Sequence, residues 1–565
     1  MKNFLKWCIW VIPAFIPTYF YRLEIFGLPT NFLEILVGLV FVFWLVNAFI
    51  DWLMSKKKFG WLRVSWNKLF VDVLRSKVFW LSVAGIIVVV MSVMIVPPQT
   101  IFFEGTKIHE GTKVALGIVK GWIMLPIVYF FMLAQMVRRK EDLQKVLGAY
   151  LLSTVPLVLW GFYQLFTGNF ITPDARVSGP FVNANYLALY LEPAAAAFSF
   201  SFFQRFIGGN LKSGTWILAI GALGTFIILV FTHSYAALFA MFLALAIGMF
   251  LQFRNFKIFA KKEEEKRLGK LIKFFALCSF IAFVVLTIGF ANTEKGRKFF
   301  AVQDRSSTSV RMEIYTVALR LIQQHPFLGI GLGQFEPQYA LQAPEILGKA
   351  PYEWVTIHPH NLFLAAWLNL GIGGFLLLLI IISQAVVQYF RTPNYATRQL
   401  CLVGLVMLLT ILIHGLLDTH LFKNDLAMVF AVTLAVCILP RKMLVLGEVI
   451  HGIKKGRDLG FPTLNLELKY LNFPQKDLDF GIYSCKVLVK EKWYKGALHY
   501  GPRPAIQVQE PSFEIHVLDF NQNIYGQRVE VEILDFVRGV MNFSSLQGLK
   551  EQIAQDILVV RHSTL

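Results

Sequence analysis

Apolar runs, each about as long as a membrane-spanning helix, follow one another from Met1 to about Leu439. An α-helix needs about 20 mostly apolar residues to cross the hydrocarbon core of a bilayer, where only a closed hydrogen-bond pattern is tolerated. Of the 565 residues, 56% are hydrophobic and only 16% are charged, well below the roughly 25% of soluble domains. The sequence therefore predicts a multi-pass α-helical membrane domain. About twelve spans are predicted, near residues 5–21, 31–52, 77–97, 114–136, 145–166, 184–204, 214–232, 235–253, 272–291, 361–389, 398–417 and 424–439.

The pattern changes after Pro440-Arg441-Lys442, which places a domain boundary near residue 443. Short segments with two-residue alternation follow at residues 481–489, 493–500, 513–518 and 528–536. Such segments, separated by frequent turns, favour a small antiparallel β-barrel. After Ser544, apolar residues at helical spacing predict an amphipathic helix that ends near Leu558. The predicted domains are thus residues 1–442 in the membrane and residues 443–565 as a β-barrel with a C-terminal helix.

The net charge of +19 indicates orientation in a membrane rather than nucleic-acid binding. Lys and Arg cluster in short connections between apolar runs, at residues 56–75, 138–140 and 257–273. An excess of these residues in cytoplasmic connections is the positive-inside signal. We therefore expect no nucleic-acid partner, both termini in the cytoplasm, and the long connection near residues 292–359 on the outer side.

Neither the N-terminus nor the cysteines indicate processing or cross-linking. The first apolar run lacks a small-residue cleavage site, so we interpret it as a span rather than as a signal peptide. The five cysteines show no paired spacing that would indicate a disulfide or zinc framework, and we expect them to pack in the core.

The long outer connection carries cationic and titratable residues that suit group transfer. Arg311 begins a helical pattern that ends at His325, and the connection closes with His358-Pro359-His360-Asn361. The forked donors of arginine match phosphate oxygens, and histidine takes up a proton near neutral pH. A connection this long between membrane helices is usually functional.

With these motifs, residues of about 145–440 resemble the O-antigen ligase and polymerase superfamily of bacterial envelope glycan enzymes. The shared motifs lie at residues 176–185, 326–335, 360–361, 371–374 and 414–418. The resemblance implies a protein of the bacterial cytoplasmic (inner) membrane. It would transfer a glycan from undecaprenyl diphosphate to an acceptor, with the lipid bilayer as its surroundings and without a cofactor.

The resemblance also implies residue roles. His360 would be the base that takes the acceptor proton, while Arg311 and Arg176 would bind the lipid diphosphate. Asp418 with His414, and the intramembrane Glu192, are further candidates. The family commonly has Ser-Arg at the start of the eighth span. Here His233-Ser234-Tyr235 stands instead, so that a cation is missing there unless His233 takes its place.

A glycine-containing loop, residues 456–465, follows the domain boundary. Its glycines let the backbone approach an anion, while the Thr463 hydroxyl and the Asn465 amide lie two residues apart. A Gly-x-x-x-x-Gly-Lys-Ser/Thr motif is absent from the sequence, which excludes a P-loop. The loop resembles the Pro-Thr-x-Asn signature of riboflavin kinases, and the similarity extends over residues 443–565.

This second resemblance implies phosphorylation of riboflavin by ATP with Mg²⁺ or Zn²⁺. Thr463 and Asn465 would bind the metal, Glu514 would be the general base, and Arg538 and Phe543 would contact the flavin. The ATP-binding residues would be Gly456, Arg457, Gly460, Thr463 and Asn465. His499 stands where the family usually has asparagine, and Ala505 replaces a usual threonine. Because the adenylyltransferase module often joined to bacterial riboflavin kinases is not in the sequence, the expected product is FMN rather than FAD.

Two other functions remain open at the level of sequence. The tail would be a non-catalytic flavin or nucleotide sensor that regulates the membrane domain, or the membrane domain would transport riboflavin to the kinase. Intact Thr463, Asn465 and Glu514 favour catalysis over sensing. The residues of the outer loop, and the lack of an evident repeat between halves, favour a transferase over a transporter.

Overall fold

The computed structural model of the protein describes most of the chain. The described residues are 2–25, 28–58, 77–98, 111–137, 140–209, 212–259, 306–392, 395–421, 423–439, 443–451, 460–471, 478, 480–490, 492–503, 508–541, 543, 545–562 and scattered positions between 269 and 292. They form two compact units. The first contains Met1–Met136, Leu143–Val387 and Leu402–Ile438, and the second contains Val137–Asp142, Gln388–Cys401 and Leu439–Leu565. The domain limits given by the sequence stay a prediction.

Helices account for nearly all the regular structure that the first unit shows. Their bounds are α1 Lys2–Val11, α2 Phe32–Lys58, α3 Lys77–Met94, α4 Gly111–Ile118, α5 Leu125–Met136, α6 Lys140–Thr167, α7 Ala184–Ile207, α8 Ser213–Phe231, α9 Tyr235–Phe259, α10 Ser307–Gln324, α11 Phe335–Leu347, α12 Leu362–Arg391, α13 Tyr395–His414 and α14 Asn424–Ile438. The π-helical segment Val119–Met124 joins α4 to α5.

Within the described ranges, eight helices are long and apolar enough to cross a membrane. They are Phe32–Ile50, Gly111–Met136, Lys140–Thr167, Ala184–Ile207, Ser213–Phe231, Tyr235–Arg254, Leu362–Phe390 and Thr397–His414. Val83–Met94 and Asn424–Ile438 are shorter apolar helices. These helices and the barrel described below confirm the predicted fold class, a polytopic helical domain with a β-barrel. Most of the predicted span at 272–291 lies outside the described residues.

The first predicted span is not a single α-helix. After α1 the chain continues as the 3-10 helix Ile12–Phe20, which contains Pro17. A two-stranded hairpin then follows, formed by β1 Arg22–Ile25 and β2 Leu28–Asn31. Proline inside a helix removes a backbone donor and clashes with the preceding turn, which explains the tighter winding here.

The glycine motifs of the long connection before α12 meet at a break in that helix. Gly371 has φ +66° in the middle of that helix, and a Cβ there would lie 2.1 Å from the Phe327 carbonyl oxygen. The backbone of Ile372 donates to Phe327, and that of Ile330 donates to Leu368, at 3.2 and 2.8 Å. Only glycine fits such a close backbone approach at positive φ. The loop before α11 is therefore fixed against α12 by backbone contacts.

The described part of that long connection, residues 306–359, is a packed helical layer rather than an open loop. The predicted helix ending near His325 is α10, and a capping box of Ser306 and Ser309 starts it. Buried residues of α10 and α11 form one core with Leu368 of α12; these include Ile314, Val317, Leu321, Phe335 and Tyr339. This core places the α10 face next to the start of α12.

The tail of the second unit is a closed six-stranded antiparallel barrel. Its strands are β3 Met443–Ile450, β4 Leu464–Leu471, β5 Gly481–Val489, β6 Lys492–Arg503, β7 Val508–Val517 and β8 Arg528–Gly539, in the order β3-β4-β7-β6-β5-β8. Alternate residues of the strands fill the interior; among them are Val445, Val487, Leu498, Ile515 and Val531. Closure leaves no unpaired edge, which stabilises a sheet of this size.

Helix α15, Leu546–His562, follows the barrel. The helix starts one residue later than predicted, because the Ser545 hydroxyl accepts the Gly548 amide hydrogen bond at 3.1 Å. The helix also runs to His562 rather than to Leu558. The predicted cap, Ser544, lies outside the described residues.

Candidate functional site

The first unit brings His360 and Asp418 together at the start of α12. Nδ1 of His360 lies 3.3 Å from Oδ1 of Asp418, although 58 residues separate them in the chain. His360 has φ +46°, and the next residue, Asn361, caps α12 by accepting the backbone amides of Phe363 and Leu364. His360 thus lies just before the helix in the left-handed backbone conformation, which residues other than glycine adopt rarely.

Asp418 is buried, and its surroundings favour the ionised carboxylate. Its Oδ1 accepts a hydrogen bond from the backbone N–H of Thr419 at 2.8 Å and another from Nδ1 of His360. Burial opposes the charge, yet the hydrogen bond from His360 and the neighbouring histidines hold the pKa of Asp418 well below its usual range. A carboxylate in this position favours the Nδ1–H tautomer of His360 and leaves Nε2 able to accept a proton.

His358 lies edge-on to His360, with ring centroids 4.7 Å apart. Burial, together with the charge of His360, lowers the pKa of His358 to about 4. Its buried Nδ1 has no hydrogen-bond partner among the described residues. His358 also lines a cavity of about 260 Å³, whose walls include Trp122, Glu336 and Ile357. A neutral imidazole therefore faces a largely apolar cavity beside the His360–Asp418 pair.

Helix α10 places Arg311 near the same pair. The Tyr315 hydroxyl donates to the carbonyls of His360 and Leu416, each at 3.0 Å. These bonds join α10 to the residue before Asn361 and to the turn that contains Asp418. Arg311 lies one turn earlier on α10 and interacts electrostatically with Tyr315 and with His414. Its buried Nε has no partner in the described part of the chain. An unsatisfied guanidinium donor at this position fits an anionic ligand.

Arg176 is not brought into contact with His360 or Asp418. Its described contacts are with Asp174, with the Asn185 side chain at 3.3 Å and with the Thr232 carbonyl at 3.5 Å. The Thr232 contact places Arg176 beside the His233-Ser234-Tyr235 turn, and His233 there has φ +50°. Arg176 therefore supplies a cation next to the turn where the sequence departs from the family pattern.

Lys423 is a cation of this unit that the sequence reasoning missed. Its ammonium lies 3.8 Å from the Tyr186 ring centroid, 4.6 Å from that of Phe181 and 5.2 Å from that of Tyr19. Burial lowers the pKa of Lys423, and Asp425 opposes this effect. Aromatic faces stabilise a desolvated ammonium. The signal was a lysine in the short connection between two apolar helices.

Glu192 and His414 meet a third residue, His420, which sequence reasoning also missed. Oε2 of Glu192 lies 2.8 Å from Nδ1 of His414, and Oε1 lies 2.7 Å from Nε2 of His420. All three side chains are buried. A carboxylate buried in an apolar helix is costly unless it is paired, and two imidazoles supply the partners here.

The second unit brings Asn465 and Glu514 together. The two residues are directly opposed in the antiparallel pairing of β4 with β7, and His499 of β6 opposes Glu514 from the other side. Directly opposed residues of a sheet present their side chains on the same face. All three are half-buried, whereas the alternating residues Leu498 and Ile515 are buried in the barrel core. Asn465, His499 and Glu514 therefore form one row on the outer face of the barrel.

The described end of the glycine loop is fixed against β7. Nδ1 of His516 donates to the Pro462 carbonyl at 2.8 Å, and Gly460 has φ +88°, a conformation that favours glycine. This contact fixes the residue before Thr463, which directly precedes β4 and is two residues from Asn465. The predicted ATP-binding residues Gly456 and Arg457 lie outside the described residues.

Arg538 is held by Asp556 of α15. Its Nε and Nη2 donate to the two carboxylate oxygens at 2.9 and 2.6 Å. The Phe543 ring centroid lies 5.9 Å from the guanidinium carbon. The structure thus places the two predicted flavin contacts beside each other, and it gives Arg538 a structural partner that the sequence did not reveal.

Two family models match separate parts of the chain. Residues 220–379 match the O-antigen ligase model, and residues 439–564 match the riboflavin kinase model. The predicted resemblances are thereby confirmed. The first runs from within α8 to within α12, and the second covers the barrel and α15.

Curated relatives match the tail. A bifunctional riboflavin kinase/FMN adenylyltransferase of Haemophilus influenzae is 41% identical over 125 residues, which is 22% of this chain and 39% of that protein. The protein of the same description from Escherichia coli is 36% identical over 129 residues, 23% of this chain and 40% of that protein. The chain thus spans about two fifths of the length of these relatives. A solved structure described as a macrolide-efflux protein from Streptococcus pneumoniae is 33% identical, covering 22% of this chain and 40% of that one, with a TM-score of 0.19.

The family matches have direct chemical meaning. A riboflavin kinase domain uses ATP and a divalent metal, and apolar helices together with an O-antigen ligase segment indicate a membrane protein.

Proposed function

We propose that this chain carries two activities. The tail phosphorylates riboflavin with ATP to give FMN and ADP, and the membrane domain transfers a glycan from a polyprenyl diphosphate to an acceptor. The pairing of Asn465 with Glu514 inside the riboflavin kinase match carries the first activity. The His360–Asp418 pair beside Arg311 carries the second.

In the tail, Glu514 is the general base. It takes the proton of the riboflavin 5′-hydroxyl as that oxygen attacks the γ-phosphorus of ATP, and the bond from the γ-phosphorus to the ADP oxygen breaks. Asn465, which binds the phosphates, is directly opposed to Glu514, which is the base. The two side chains therefore act on the same face of the barrel. Such transfer depends mainly on positioning and on stabilisation of phosphoryl charge.

The residues at the start of β4 fit a divalent metal. Thr463 offers a hydroxyl oxygen and Asn465 an amide oxygen, and oxygen donors of this kind suit Mg²⁺, with Zn²⁺ as a second possibility. When bound, the metal neutralises charge on the transferring phosphoryl group. Gly456, Arg457 and Gly460 complete the ATP-binding loop, while Arg538 and Phe543 contact the flavin.

In the membrane domain, His360 takes the proton of the acceptor hydroxyl. The acceptor oxygen bonds to the anomeric carbon of the donor sugar, and the bond from that carbon to the diphosphate oxygen breaks. Asp418 holds the His360 tautomer and stabilises the imidazolium that forms. Arg311 binds the leaving diphosphate through donors such as its unsatisfied Nε, and Arg176 is a second contact. Undecaprenyl diphosphate is the expected carrier.

These roles require the two sites to face opposite sides of the bacterial inner membrane. The kinase needs cytosolic ATP, while the lipid-linked glycan is presented at the outer leaflet. The basic connections predict this orientation, with both termini in the cytoplasm.

A direct assay separates the proposal from its alternatives. Full-length protein in detergent is incubated with riboflavin, ATP and Mg²⁺, and FMN is measured by its fluorescence after chromatography. Binding of flavin without FMN formation would favour a sensor. Vesicle uptake of riboflavin, without transfer from a polyprenyl-linked donor, would favour a transporter.

A further inference from the structure

Three side chains of a metal-ligating type converge beside the His360–Asp418 pair. Glu192 lies within α7, His414 ends α13, and His420 lies in the turn before α14. One ligand atom of each lies within 4.8 Å of the others, and all three residues are buried. Because 222 and 228 residues separate Glu192 from the two histidines, only the tertiary fold assembles this cluster.

The described residues do not supply a hydrogen-bond partner for every polar atom of the three side chains. Glu192 uses one oxygen for each histidine, at 2.8 and 2.7 Å, and the two rings meet edge-on with centroids 5.4 Å apart. The buried Nδ1 of His420 has no hydrogen-bond partner among the described residues. A buried polar atom left without a partner costs about 1–3 kcal/mol.

The charges around the cluster favour a divalent cation. Asp418 is a second buried carboxylate, close enough to interact electrostatically with both His414 and His420. Both imidazoles must be neutral to bind a metal, so the carboxylates Glu192 and Asp418 would together present two negative charges to the ion. Buried carboxylates are costly unless a cation compensates them. A single divalent ion bound by the cluster neutralises both.

We propose that Glu192, His414 and His420 bind a divalent transition-metal ion of the zinc type. Imidazole nitrogen and carboxylate oxygen are ligands that zinc accepts, and three protein ligands leave a fourth position open. Zinc–ligand bonds of about 2.1 Å in a tetrahedral site separate ligand atoms by roughly 3.4 Å. The nitrogen–oxygen distances of 2.7 and 2.8 Å must therefore widen by about 0.6–0.7 Å.

Such an ion joins three parts of the chain. It links α7 to the end of α13 and to the turn that follows, and this turn contains Asp418, the partner of His360. The metal fixes the position of Asp418 rather than contacting the transferred group. The proposed site is thus structural, and it stands whether or not the membrane domain transfers glycans.

The other group of possible ligands, His358, His360 and Asp418, fits an ion less well. His360 is partly exposed there, with 29% of its side chain accessible, and it already binds Asp418. The two clusters can be separated by experiment, because they share no residue.

The test uses untagged full-length protein, stripped with a chelator and freed of nucleotide. We expect elemental analysis to show uptake of about one Zn²⁺ or Co²⁺ per chain. The Co²⁺-loaded protein should show the visible absorption bands of a Co²⁺ ion with fewer than six ligands. Glu192→Gln and His420→Asn are expected to weaken uptake at least about tenfold. Zn²⁺ is expected to raise the melting temperature of the wild type but not of these variants.

Two controls decide between the clusters. His325→Asn removes an exposed histidine at the end of α10, outside both clusters, and should leave uptake unchanged. His358→Asn removes a buried histidine of the other cluster and should also leave uptake unchanged. Folded wild-type protein that takes up no stoichiometric metal overturns the proposal, whatever the variants do. Uptake lost in His358→Asn but kept in Glu192→Gln also overturns it.

Discussion

Asn465 and Glu514 are directly opposed on β4 and β7 of the tail barrel. Their side chains lie on one face because opposed residues of an antiparallel pair point the same way. Asn465 ends the glycine-loop motif, and Glu514 lies on a strand that begins more than forty residues later. The barrel therefore brings together the proposed phosphate-binding residue and the proposed base.

Glu514→Gln should lower FMN formation by about two to four orders of magnitude, because the amide keeps the shape and cannot accept the proton. Turnover is measured with riboflavin, ATP and Mg²⁺, on full-length protein and on residues 443–565. Glu467→Gln, on an exposed strand position, is the matched control and should retain activity. Near-normal turnover of Glu514→Gln would remove its role as base.

His360→Ala and Arg311→Ala should each abolish glycan transfer without unfolding the protein. The first removes the proton acceptor, and the second removes the diphosphate ligand. Transfer from a polyprenyl-linked donor is followed in membranes with matched amounts of protein. His325→Ala, at an exposed position, serves as control. Wild-type transfer in either variant would reduce that residue to a structural role.

The outer connection should react with a reagent added from outside the cell. In a variant without its native cysteines, a cysteine at Glu336 should be labelled by an impermeant reagent, and one at Lys262 should not. Labelling in the reverse pattern would contradict the orientation and place the glycan site on the wrong side.

Gly371→Ala should lower the stability of the membrane domain by about 1–3 kcal/mol or more. The residue has φ +66°, and its Cβ would meet the Phe327 carbonyl oxygen. Gly38→Ala is the control, since nothing lies within 4 Å of a Cβ in that helix. Thermal unfolding in detergent compares the two. Equal melting temperatures would show that the break in α12 adapts to a side chain.

Asp556→Asn should lower the stability of the tail by about 1–3 kcal/mol, because it leaves the Arg538 guanidinium with a poorer acceptor in a half-buried place. Asp519→Asn breaks the exposed pair with Arg561 and should cost at most about 1 kcal/mol. Urea unfolding of residues 443–565 measures both. Similar losses would mean that burial of the first pair contributes little.

The sequence by itself determined the two kinds of architecture. The length of an apolar run and the two-residue alternation of a strand are local properties, so most helices of the first unit and the strands β5, β6 and β8 were predicted close to their observed bounds. Strand β7 was predicted from residue 513 although it begins at Val508, and β3 and β4 were not predicted as strands. The glycine loop and the Glu514 strand were likewise readable, because their motifs are contiguous.

Only the tertiary structure decided which distant residues meet. The pairs His360–Asp418 and Glu192–His414 join positions 58 and 222 residues apart, and no local pattern encodes such a contact. His420 and Lys423 were missed for the same reason, since each gains its meaning from partners on other helices. Arg176 and Arg538, which stay proposed ligand contacts, also have protein partners in the fold that the sequence did not reveal. The type of a side chain decides which groups it offers, but the neighbours that packing supplies set its pKa and its role.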